Sequence, residues 1–166
     1  MLQAALFTAA FVPMLFEAAL SARNERQLRD AGASEPHEDV FAAMQVVYPV
    51  CFAAMIAELW IAPRAHPSTV AAGAAVFVTA KALKYWAIAS LGVRWTFRVL
   101  VPPNSTRTLR GPYRFVRHPN YIAVAGELLG FAIMAAAPIT GILALLVFGW
   151  LMRARIRVEE RALGLR

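Results

Sequence analysis

An all-α, polytopic membrane protein of about five transmembrane helices is predicted, on three observations. Of 166 residues, 60% are hydrophobic and 16% charged, against roughly 25% charged in soluble domains, and mean hydropathy is +0.55. The apolar residues gather into five runs separated by charged or proline-bearing segments. Of the 17 Lys and Arg, only Arg64 falls on the opposite side from the others in the alternating topology these runs impose. The positive-inside rule therefore predicts an outside N-terminus, a cytoplasmic C-terminus and a cytoplasmic location for the basic segments.

Leu2 to Leu20 is long enough for a first span, with Pro13 a predicted kink and Glu17 read as snorkelling to the headgroups. It has no preceding basic region, so it is expected to be retained rather than cleaved. Ser21 to Asp39 has the dense mixed charge of a solvated loop, and His37 is read as part of it. Val40 to Ala62 forms the second span, where Glu58 is expected to pair with a neighbouring helix. Pro63 to Pro67 makes a turn before a third span, Ser68 to about Ser90, whose Lys81 and Lys84 are read as snorkelling.

Arg94 to Arg98 alternates basic and aromatic residues, a pattern for the headgroup level, and Pro102-Pro103-Asn104-Ser105 breaks it. The fourth apolar run extends from Tyr121 to Ala137. Pro138 marks a hairpin, and the fifth helix, Ile139 to Met152, continues through Arg153 to Leu163. Gly126 and Gly130 have the spacing that would let the fourth helix approach the fifth closely.

No repeat or second domain is visible, so residues 1–166 are read as one integral membrane domain. The net charge of +7 and pI near 10.5 are assigned to topology and anionic membrane lipids, not to nucleic acid. Cys51 is the only cysteine, and the three histidines are too scattered for a zinc cluster, so no metal site is expected. No oligomeric state follows from the sequence.

The chemistry-bearing stretch is Leu109 to Tyr121. It holds Arg110, Arg114 and Arg117, His118, three aromatics and two backbone-restricting prolines, which suits an anionic, flat-ringed ligand. An antiparallel fourth and fifth helix would bring Arg117 to Tyr121 against Arg153, Arg155, Arg157, Glu159 and Glu160. The helix start near Pro119 would add unpaired amides.

Gly111-Pro112-Tyr113, then Arg117-His118-Pro119-Asn120-Tyr121, then Glu159-Glu160 after an apolar hairpin, resembles the isoprenylcysteine carboxyl methyltransferase family. Ala22-Arg23-Asn24-Glu25 and Ala89-Ser90-Leu91-Gly92 resemble its bacterial branch, which includes O-methyltransferases of alkylpyrones and alkylresorcinols made by type III polyketide synthases. The resemblance implies S-adenosylmethionine as methyl donor, a bacterial inner-membrane location, and a cofactor-binding half at about 91–166. No Gly-x-Gly-x-x-Gly is present, so helix ends and loops must bind the cofactor.

Carried over, Tyr113, His118, Pro119, Asn120, Tyr121 and Glu159 become cofactor-binding residues. His118 and nearby amides suit the methionyl carboxylate, Glu159 the amine or ribose, and the tyrosine faces the sulfonium. Arg155, one turn before Glu159, matches a substrate-contacting arginine and would steady an anionic acceptor oxygen. Glu127 is either a general base for a phenol or hydroxypyrone, or a structural hydrogen-bond partner; a carboxylate acceptor needs no base. The tyrosine-containing tail that helps close the pocket in many members has no counterpart in Leu163 to Arg166.

The expected reaction is transfer of a methyl group to an oxygen of a lipophilic acceptor entering from the bilayer. Phospholipid N-methylation, NADPH-dependent reduction and a non-enzymatic lipid-binding scaffold are the alternatives. A scaffold binding by charge alone would tolerate lysine at Arg110, Arg114 and Arg117.

Overall fold

The computed structural model describes residues 2–36, 39–61, 65–103, 107–162 and 164. His37, Pro63, Arg64, Asn104, Ser105, Leu163 and Arg166, which figure in the sequence reading, lie outside the described residues. Within them are five α-helices: α1 (Leu2–Asp30), α2 (Phe41–Ile61), α3 (Pro67–Leu91), α4 (Pro119–Met134) and α5 (Pro138–Ala162). All but α4 are long and apolar enough to cross a membrane. With 16 residues, α4 extends roughly 24 Å, short of a hydrocarbon core of about 30 Å.

The first helix corrects the sequence reading. Ser21 to Asp30 is not loop but a continuation of α1. The reason is a buried stripe, Glu17, Ser21, Asn24 and Leu28, at helical spacing. Three of the four are polar, so hydropathy hides the stripe. Asn24 donates to the carbonyl of Trp95 at 2.8 Å, and the Phe97 amide donates to Ser21 Oγ at 2.7 Å. The continued helix thus anchors the chain that leaves α3.

The glycine pair of α4 also meets a different partner from the one expected. A Cβ on Gly130 would lie 2.5 Å from the backbone nitrogen of Phe77, and one on Gly126 would lie 2.9 Å from Ala80 Cβ, both on α3. Gly73 completes the seam from the other side, its missing Cβ 2.5 Å from the Met134 nitrogen. Close approach of α5 to α4 instead uses Gly141 against Ala132. Below this seam, Phe52, Phe77, Phe131, Phe148 and Tyr48 interlock, with Phe52 and Phe131 edge to face at 4.7 Å.

Snorkelling does not describe Glu17, Lys81 or Lys84, which are 1%, 9% and 3% exposed. Lys81 contacts Glu17 at 2.9 Å and Glu127 at 3.2 Å; Lys84 contacts the same two carboxylates at 2.6 and 3.4 Å. Two lysines and two glutamates cancel, so burial leaves no net charge. Tyr48 of α2 donates to Glu127 and joins the cluster. Glu58 is paired, as expected, but with a helix end. Its carboxylate accepts from the amides of Ile139 and Thr140 at 3.2 and 2.7 Å, where α5 begins with Pro138.

Gly130→Ala should therefore destabilise the detergent-solubilised protein by about 1–3 kcal/mol in thermal unfolding, because backbone must move to admit the methyl group. Gly149→Ala, where an added Cβ meets nothing within 4 Å, is the neutral control.

Candidate functional site

The C-terminal ends of α1, α3 and α5 and the N-terminal ends of α2 and α4 share one end of the bundle. The chain between α3 and α4 starts with a short 3₁₀ turn, Gly92–Arg94, and crosses this end as irregular backbone. It is tied down by an antiparallel bridge between Ser34 and Val101, by an Arg98–Glu35 pair at 2.7 Å, and by the Val99 amide on Asp39 at 3.2 Å. A second 3₁₀ turn, Gly111–Arg114, then leads to α4. Gly111 has φ +55, and a Cβ there would lie 1.9 Å from Ser90 Oγ, so glycine is required twice over. That seating buries Tyr113.

Beneath the crossing chain lies a cavity of about 690 Å³, within the range of roughly 300–1,000 Å³ usual for ligand sites. Tyr113, His118, Asn120, Tyr121, Arg155, Glu159 and Glu160 line its mouth, and Trp95, Phe97 and Val99 its roof. Farther along the helices it meets Tyr48, Lys84 and Glu17, and it extends to Phe7, Phe11, Met14 and Leu15 of α1. Phe7 and Leu15 are 56% and 71% exposed on the outer face, so this part of the cavity borders the bilayer-facing surface.

At the mouth, His118 lies between two carboxylates, its Nδ1 3.6 Å from Glu159 and its Nε2 3.4 Å from Glu160. The bond to Glu159 raises the His118 pKa above the usual histidine value, against the opposing effect of burial. Glu159 also accepts from Tyr121 and from Arg155 Nε at 3.2 Å. These two donors take about two of the roughly four lone-pair directions of this carboxylate, and His118 stands beside it as an ion-pair partner. Burial, and after it the Glu159 charge, pushes the Tyr113 phenol up, so Tyr113 stays a neutral donor. Pro119 is the buried first residue of α4, and the Asn120 side-chain oxygen Oδ1 accepts from Trp95 Nε1 at 3.5 Å.

Arg155 is 4% exposed and works as a clasp. Nη1 holds both oxygens of Asp39 at 2.6 and 2.7 Å, and Nη2 donates to the Phe97 carbonyl at 2.5 Å. With Nε on Glu159, each of its nitrogens is engaged within the chain, although the residue lines the cavity. Glu127 is wholly buried and does not line the cavity; Tyr48 and Lys84 stand between.

The basic loop is only partly a site. Arg117 lines the cavity, whereas Arg110 and Arg114 are exposed and do not, and Arg153 and Arg157 are exposed on α5. Charge density in the sequence could not separate them. The sequence reading missed Tyr48, Trp95 and Asp39. A tyrosine in mid-span was a signal for the first; nothing local distinguishes Asp39 from the other acids of its segment.

A helical bundle with a cavity bounded by helix ends and irregular chain, joined to a lipid-facing surface, defines a membrane protein equipped for an amphiphilic ligand. Residues 73–164 match the isoprenylcysteine carboxyl methyltransferase (ICMT) family, and the chain belongs to it: this is a membrane methyltransferase. It is 31% identical over 147 residues to the uncharacterized protein YpbQ of Bacillus subtilis, covering 89% of this chain and 88% of that one. An uncharacterized protein of Haemophilus influenzae is 25% identical over 150 residues, covering 90% of this chain and 87% of its own. No solved structure matches the chain.

The raised His118 value has a defined pH signature. Stability from its carboxylate pairs is complete below about pH 6.5, the unfolded histidine value, and is lost as pH rises through the higher folded value. The melting-point gap between wild type and His118→Asn should therefore be widest near about pH 6 and narrow by about pH 9.

Proposed function

We propose that the protein transfers a methyl group from S-adenosylmethionine to an oxygen of a lipophilic acceptor. The observation that carries this reading is that one cavity joins the charged and aromatic mouth to the apolar surface of α1. The family supports both the donor, which its members generally use, and an oxygen as the atom modified.

The residues at the mouth fit the donor's chemistry. Arg117, beside the cavity, suits the methionyl carboxylate, and His118, drawn toward its charged form by Glu159, adds positive charge to the same wall. Glu159 and Glu160 suit the ammonium and ribose hydroxyls, and Tyr113, Tyr121 and Trp95 offer ring faces to the adenine and the sulfonium. Pro119 and Asn120 set the start of α4 in that wall. Bound there, the donor supplies an electrophilic methyl group that leaves in line with an attacking oxygen.

The chain's own contribution is alignment and exclusion of water. The roof at Trp95 to Val99 covers the site, and the Arg155 clasp fixes that roof to α5 while holding Glu159 in place. In this reading Arg155 serves the acceptor by shaping the wall it meets, and membrane lipids surround the lateral opening. The basic end faces the cytoplasm of the inner membrane, where the donor is made, with the N-terminus on the other side.

S-adenosylhomocysteine at about 100 times its dissociation constant should stabilise the detergent-solubilised protein by about 2.7 kcal/mol, seen as a higher melting temperature. His118→Ala and Glu159→Ala should abolish the shift. Membranes given labelled S-adenosylmethionine should carry label into a lipid-fraction product heavier by one methylene. No shift in wild type at saturating ligand would refute donor binding, and label found only in methylated phosphatidylethanolamine would refute the oxygen acceptor.

A further inference from the structure

The cavity continues beyond the donor site to a tyrosine and two charged residues within the spans. Tyr48, Lys84 and Glu17 all line it, from α2, α3 and α1. Glu127 lies six residues beyond Tyr121 on α4, roughly 9 Å along the axis, and touches the cavity only through neighbours. Tyr48 donates its hydroxyl proton to Glu127. We propose that Tyr48 receives the acceptor's hydroxyl group and relays its proton to Glu127, so that this end of the cavity is built for a neutral hydroxyl-bearing head group. The proposal rests on the oxygen-acceptor reading above.

Two features single out Glu127 as the proton's destination. Both oxygens of Glu17 are ion-paired, Oε1 to Lys81 at 2.9 Å and Oε2 to Lys84 at 2.6 Å. Glu127 receives both lysines and Tyr48 on Oε2, while its buried Oε1 has no hydrogen-bond partner among the described residues. Tyr48 therefore bonds to the one carboxylate of the pair that keeps an oxygen without a hydrogen-bond partner, and Glu127 can hold a proton while Glu17 stays matched to both lysines. Cys51 lies one turn along α2 from Tyr48, and the side facing α5 is apolar, with Phe148 at 5.1 Å.

The relay balances. The acceptor's O–H bond breaks as its oxygen–methyl bond forms; that proton joins Tyr48 Oη, and the proton Tyr48 held passes to Glu127. The carbon–sulfur bond of the donor breaks, and its sulfonium charge disappears together with the negative charge of Glu127. The proton returns to water through the mouth when product leaves. A carboxylate acceptor has no such proton to lose, and it would enter a cluster whose two lysines are already matched by two glutamates.

Tyr48→Phe, Glu127→Gln and wild type should be compared in detergent, with para-dodecylphenol and dodecanoate as probe acceptors. Tyr48→Phe should keep the S-adenosylhomocysteine shift and bind the phenol about fivefold to tenfold more weakly, the loss of one hydrogen bond. Its transfer rate to the phenol should fall about 100-fold at neutral pH, with the gap closing as pH approaches the phenol's own value of about 10. Transfer to dodecanoate should fall far less. Glu127→Gln should reproduce the rate loss with little loss of phenol affinity.

An unchanged phenol affinity and pH–rate profile in Tyr48→Phe overturns the relay, and loss of the S-adenosylhomocysteine shift overturns it too, by marking Tyr48 as structural. Wild type active on dodecanoate but not on the phenol overturns the relay and leaves the oxygen acceptor standing. Wild type that binds S-adenosylhomocysteine yet methylates neither probe overturns both.

Discussion

Four charges buried among apolar helices have to cancel, and most of the arrangement depends on how they do it. Glu17, Lys81, Lys84 and Glu127 come from α1, α3 and α4, and Tyr48 adds α2 through its bond to Glu127. Removing one member of such a set strands a buried charge, at about 3–5 kcal/mol. Replacing the whole set with apolar residues would cost far less, so stability alone does not account for it. Its location beside the cavity gives a functional reason for keeping charge inside the spans.

Seen from that cluster, the bundle has two kinds of contact. The α3–α4 seam is steric: Gly73, Gly126 and Gly130 bring two helices close enough for Lys81 and Lys84 to reach Glu127. The contacts at the mouth are polar and cross long stretches of sequence. Asp39 and Arg155 are separated by 116 residues, Phe97 and Arg155 by 58. One guanidinium therefore positions the roof and Glu159 together, and a lysine could not repeat its three directions.

The family motifs acquire separate physical meanings in this frame. Gly111 seats the turn against Ser90, Pro119 starts α4, and His118, Tyr121 and Glu159 form a charged, hydrogen-bonded wall. The neighbouring Arg110 and Arg114 lie outside the cavity despite belonging to the same basic stretch. Side-chain direction separates these groups, and direction is set by the turn before α4.

From composition and apolar run length the sequence by itself determined the helical membrane class, the approximate spans and the pairing of the α4 start with the α5 end. Those properties are local or follow from antiparallel connection, and hydropathy measures them directly. The tertiary structure decided what hydropathy cannot weigh. A charged residue in a span reads the same whether it snorkels, as expected of Glu17, Lys81 and Lys84, or meets an opposite charge from another helix. The polar stripe that carries α1 on to Asp30 reads as loop until Trp95 and Phe97 are placed beside it. In each case the deciding partner lies tens of residues away, and only packing brings it within hydrogen-bonding reach.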